Sequence, residues 1–264
     1  MGEMDEVVTG MRDAGVLEGM RWAYLSATGR VLDDYAEATG HDPVWLGITR
    51  FVLYRDRLDR VFSCGRYAVP MDSTAEAGRD VLHAELTADD VRTMPDLDPE
   101  LVSRADLNGS PGWSWGPWRW LLASAAVGGI LDLHWAQTSA TKQQIARRVE
   151  LDPAQGSLFD LPELEGVAGP EGLQRADDLE TLVIAHAQDT VSLTVEAVLG
   201  RPRFNAGGGS AWHWNYNVLS TPPSDNRGTR LDPAPVVPPL VPDAPVRLRQ
   251  PVAGTAGLRA ADDR

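Results

Sequence analysis

Apolar side chains recur every three or four residues through Leu17, Met20, Tyr24, Leu25, Val31 and Leu32. This spacing predicts an amphipathic helix over 17–38, closed by Thr39-Gly40. Asp42-Pro43 then offers a capping side chain followed by a proline at the first helical position, where a missing N–H costs nothing. A second helix is expected from Val44 to Phe62, with Trp45, Ile48, Phe51, Val52, Leu58, Val61 and Phe62 on one broad face. Its run Arg55-Asp56-Arg57-Leu58-Asp59-Arg60 sets opposite charges at helical spacing. A two-strand hairpin turning at Asp56-Arg57 is the competing pattern. Residues 73–86 fit a further helix, and Thr87 with Asp90 three positions on opens a short one that ends before Pro95.

Past residue 100 the elements shorten. Cys64 to Pro70 already fits a turn and short strand, and Leu101 to Leu107 a strand. Asn108 to Gly112 is a loop by composition, and Ile130 to Trp135 alternates as a buried strand. Thr141 to Val149 fits a short helix, Leu182 to Ile184 a strand and Val191 to Leu199 a helix. Residues 151–178, rich in proline, glycine and acids, fit a long loop. Nine of the 19 prolines follow Leu219, which predicts a disordered, polyproline-like tail over 218–264. The expected fold class is therefore α+β: one domain over 1–217, helix-rich at its N-terminal end, with a small mixed sheet after about residue 100.

Composition narrows the function classes. With 264 residues, 43% of them hydrophobic, the chain is long enough to bury a sizeable core. Its 24 basic and 38 acidic side chains give a formal charge of −14, which argues against nonspecific coating of nucleic acid. Cys64 is the single cysteine, so no intrachain disulfide forms. The acidic start, Met1-Gly2-Glu3-Met4-Asp5-Glu6, lacks the basic head and apolar run of a signal peptide. The apolar run from Trp120 to Leu131 falls well short of the ~20 residues of a membrane-spanning helix. A cytoplasmic location is expected. Lys142 is the only lysine beside 23 arginines, a bias typical of a GC-rich bacterial genome, and it marks a position that a guanidinium does not fill.

Three constellations carry candidate chemistry. Five of the nine tryptophans lie between 113 and 135. Trp113 and Trp115, in a loop before Pro117, are the expected exposed pair, suited to stacking a base or another flat ligand, whereas Trp118 and Trp120 are expected to pack inside. Lys142, Arg147 and Arg148 form a basic stripe that either contacts a phosphate or faces solvent on a surface helix. Asp132-x-His134 would share a strand face and His186-x-x-Asp189 a helix face; with His213 they make a candidate metal-ligand set. No particular cofactor is implied. The glycines of Asn205 to Ser210 lack the spacing of a phosphate-cradling loop, and a tight turn is expected there.

The most specific short match is Gln155-Gly156-Ser157-Leu158-Phe159. It is similar to the Q-L-[SD]-L-F peptide by which bacterial replication and repair proteins dock on the sliding clamp, with Gly156 departing from leucine. That resemblance implies that Leu158 and Phe159 fill an apolar pocket on the clamp while Gln155 hydrogen-bonds at its edge. The leading expectation is thus a non-enzymatic interaction or regulatory protein that acts beside DNA transactions. A metal-dependent hydrolase or phosphoesterase, and a Trp-lined nucleotide or small-ligand binder, are the alternatives.

Overall fold

The computed structural model describes residues 2–68, 81–148 and 179–220. The helices come first: α1 (Glu3–Asp13), α2 (Val16–Asp34), α3 (Pro43–Val61) and the short α4 (Ala88–Thr93). The caps that the sequence announces are in place. Asp42 Oδ1 accepts from Trp45 N at 2.7 Å, and Thr87 and Asp90 form a reciprocal capping box. No helix among the described residues is long and apolar enough to cross a membrane.

Six strands follow: β1 (Ser103–Arg104), β2 (Gly112–Trp115), β3 (Trp118–Ser124), β4 (Glu180–Gln188), β5 (Val195–Pro202) and β6 (Trp212–Asn217). They lie side by side in sequence order in one mixed sheet. All neighbours run antiparallel except β3 and β4, which are parallel from Trp118↔Glu180 to Ser124↔His186. α5 (Ala140–Arg148) belongs to the connection between those two strands.

Both faces of the sheet are covered, and β4 shows how one strand serves two layers. Leu182 and Ile184 point into the larger core with Val7, Met11, Leu17, Met20, Tyr24, Tyr54, Leu58 and Phe62 of α1–α3. Val183, Ala185 and Ala187 point the other way, toward Ile130, Leu133, Trp135, Ala146 and Trp212. The arrangement is α+β, helical first and sheet-forming from about residue 103.

Several elements differ from their sequence patterns. Val191 to Leu199 is a turn leading into β5 rather than a helix, because Ala197 and Leu199 alternate inward while the backbone pairs with both β4 and β6. Ile130 to Trp135 is not a strand. The segment is held irregular by Trp135, whose indole donates to Ala211 O at 2.6 Å and whose backbone N–H donates to Asn205 Oδ1 at 3.3 Å. The expected loop that carries Trp113 and Trp115 before Pro117 is strand β2, which turns at Gly116-Pro117 into β3. Gly65–Tyr67 is a 3-10 turn where a short strand was expected, and Leu101 to Leu107 shrinks to two strand residues. The acidic loop 151–178 lies outside the described residues, as do residues 221–264 of the expected tail; Val218–Ser220 forms a 3-10 turn.

Candidate functional site

On α3, Arg50, Tyr54, Arg57, Leu58 and Val61 fall on one helical face, so charged side chains share the stripe that enters the core. Arg50, Asp56, Arg57, Asp59 and Arg60 are all at least nine-tenths buried. Buried charges persist only when paired, and this set divides into a saturated part and an unsaturated part.

The saturated part surrounds Asp56 and Asp59. Asp56 Oδ2 accepts from Arg57 Nη1 at 2.5 Å and Arg60 Nε at 2.9 Å. Its Oδ1 accepts from the Tyr67 hydroxyl at 2.7 Å and from Arg66. Burial alone would raise this carboxyl, but donation from Tyr67, Arg60 and Arg66 outweighs it and holds the pKa at about 2. One turn on, Asp59 Oδ1 accepts from Arg104 Nη1 and from the Trp113 indole, each at 2.9 Å. Burial dominates at Asp59 and lifts its pKa above the usual carboxylate value despite Arg104. Burial and the neighbouring Asp59 push the Cys64 thiol up to about 12, which keeps it protonated and a poor nucleophile.

Beside this network opens a cleft of about 460 Å³, lined by Val52, Arg55, Asp56, Asp59, Gly65, Arg66, Arg104 and Asp106. Gly65 sits in the left-handed region at φ 58°, and a Cβ there would stand 3.0 Å from Asp59 Oδ2. Arg104 lies over the Trp113 ring at 4.7 Å and also pairs with Asp106 at 2.7 Å. Arg66 reaches Asp56 from a largely exposed position, and Arg55 makes no ion pair with any described residue.

The unsaturated part surrounds Arg50. Its Nε donates to His186 Nδ1 at 3.1 Å and its Nη1 to Gln188 O at 3.5 Å, with no carboxylate of a described residue among its partners. Burial pulls this guanidinium below its ordinary pKa. His186 is fully buried against Tyr24, Phe51 and Tyr54, and burial, Arg50 and Lys142 together hold its pKa well below the usual imidazole value. The ring is neutral. Because Nδ1 accepts from arginine, the proton sits on Nε2.

The residues singled out by sequence fall in different places. Trp113 is fully buried behind the cleft, which corrects its expected exposure: β2 turns it inward, where Asp59 accepts its N–H. Trp115 is half-buried and lies against α1 at Gly10, where a Cβ would stand 2.8 Å from the indole. Trp120 is buried as expected, and Trp118 packs half-buried against the same core. Lys142 is half-buried on α5, where burial lowers its pKa, and has no ion pair with a described residue. Arg147 lies over Phe204 at 4.2 Å, while the Arg148 side chain and the peptide of Gln155, Leu158 and Phe159 lie outside what is described.

The five expected metal ligands are not brought together. Asp132 and His134 are exposed after β3 and His213 is exposed on β6, whereas His186 is sealed under α3. Asp189 is committed to its own turn, accepting from Val191 N, Ser192 N and Ser192 Oγ. Among the described residues no group of three His, Cys, Asp or Glu is placed to hold a metal ion.

Of the residues that line the cleft, Arg55, Asp56 and Asp59 carry a readable sequence signal, the run of opposite charges at helical spacing from Arg55 to Arg60, whereas Arg66 and Arg104 carry none. No family model, curated protein or solved structure matches the chain.

Proposed function

We propose that this protein is a binding protein whose recognition site, the cleft beside the C-terminal half of α3, takes a small ligand or partner group bearing a negative charge. One observation carries the reading. In a chain of net charge −14, five arginines (55, 57, 60, 66 and 104) surround three carboxylates, and Arg55 and the exposed part of Arg66 are left facing the cleft. Asp56 is fully occupied by guanidinium and phenol donors, so it serves as scaffold rather than as a proton acceptor. Arg104 lines the cleft and is backed by the buried Trp113 ring, and 460 Å³ is a suitable size for a small polar ligand.

The test is a titration followed by tryptophan fluorescence, with pyrophosphate and citrate as anionic probes and glucose as the neutral control. Wild type should bind the anions and not the sugar, and Arg55→Ala/Arg66→Ala should bind at least about tenfold more weakly, as expected for loss of a charge-assisted contact. Equal affinity in the double variant would overturn the assignment.

The peptide at 155–159 supports a second reading, a protein that docks on the sliding clamp and acts beside DNA transactions; four of its five positions agree with the clamp-binding pattern. Purified clamp should retain wild type and lose Leu158→Ala/Phe159→Ala. Equal retention of both, or of neither, removes this reading.

A further inference from the structure

Arg50 is 4% exposed and has no carboxylate partner among the described residues, an arrangement that is costly without a compensating charge. Two acids that follow Gln188 in the sequence accept elsewhere: Asp189 from the N–H and hydroxyl groups of its turn, and Glu196 from Gly128 N at 3.1 Å.

The polar groups beside Arg50 point to what compensates it. His186 and Gln188 are two residues apart on β4 and face the same side of the sheet, and Arg50 touches both. Among the described residues His186 Nε2, which carries the ring proton, has no hydrogen-bond partner, and neither amide atom of Gln188 has one, although Gln188 is only 7% exposed. Buried side-chain donors are ordinarily satisfied, and here the imidazole N–H and the side-chain amide of the two residues that Arg50 touches are both left over. Gln188 is the last residue of β4, immediately before the surface turn Asp189–Thr194, so the cluster lies at the margin of the core.

We propose that Arg50, His186 and Gln188 form an anion site at the C-terminal end of β4, which takes a single small oxyanion group, phosphate or carboxylate, with the guanidinium as counter-ion and the Gln188 amide as a second donor. This site is separate from the cleft at Arg55 and Arg66, so the two stand or fall independently.

The probes are inorganic phosphate and acetate, added at constant ionic strength against chloride, with thermal unfolding as the readout. A ligand that binds only the folded state raises the melting temperature with its concentration. Wild type should show that rise with at least one anion. Arg50→Met should lose it, and Gln188→Leu, which breaks no side-chain hydrogen bond, should fold normally and bind about tenfold more weakly. Nitrogen NMR should show the His186 Nε2–H resonance moving with the same anion. The cleft variant Arg55→Ala/Arg66→Ala should keep the thermal rise. The proposal is overturned if wild type shows no rise with either anion, or if Arg50→Met and Gln188→Leu both retain it. A rise lost only in the cleft variant would also overturn it and would assign the anion to the cleft.

Discussion

Replacing Asp56 by alanine is expected to lower the unfolding free energy by about 3–5 kcal/mol, the scale for removing one partner of a buried ionic group. The loss does not come from one bond. Arg57 and Arg60 are both at least nine-tenths buried, and Asp56 Oδ2 is the only carboxylate oxygen that either reaches among the described residues, so its removal strands two guanidinium groups in the core. Arg66→Ala breaks the other ion pair at the same carboxylate but should cost less than about 1 kcal/mol, since its side chain is 68% exposed. Urea unfolding at pH 7 measures both. The sign of the pH dependence follows from the depressed pKa: the advantage of wild type over Asp56→Ala should be full above pH 3.8 and shrink as pH falls toward about 2. A cost at pH 7 as small as that of Arg66→Ala would show that the α3 charges are solvated rather than buried.

Trp113→Ala is expected to cost about 3–5 kcal/mol, the range for deleting a large ring from a core. The indole is fully buried between the helices and the sheet, and Arg104 rests on it at 4.7 Å. Trp113→Phe separates packing from hydrogen bonding. It keeps most of the apolar contact but leaves Asp59 Oδ1 without its indole donor, a loss of about 1.5–3 kcal/mol for a bond to a charged group. If instead Trp113 were a surface stacking platform, both variants would unfold at the wild-type denaturant midpoint and lose only ligand affinity.

The helical half of the fold was legible in the sequence because its signals are local. Asp42-Pro43 and Thr87 to Asp90 mark helix starts by side-chain chemistry that needs no partner from elsewhere. β5 was not legible: Val195 to Leu199 satisfies helical spacing as well as alternation, and only the flanking strands β4 and β6 decide between them. Trp113 was misplaced for the same reason. A tryptophan beside Gly, Ser and Pro looks like a loop residue until Asp59, 54 positions earlier, supplies an acceptor for its N–H. The candidate site was the least legible part, since Arg55, Arg66 and Arg104 converge only after α3, the Gly65 turn and β1 have packed. The isolated histidines and aspartates suggested a constellation that the topology spreads over separate elements.

The parallel pairing of β3 with β4 has a consequence for how the molecule assembles. It joins two antiparallel meanders, β1–β3 and β4–β6, each built from near-neighbour contacts. The seam between them requires the ends of a connection running from Ser124 to Glu180 to meet, and loop closure on that scale slows the search far more than it weakens the product. Each meander leaves one long edge, β3 or β4, unpaired until that encounter. During that interval Leu121, Leu122, Val183 and Ile184 are available to the wrong neighbour, so the step that completes the sheet is also the one most exposed to aggregation at high protein concentration.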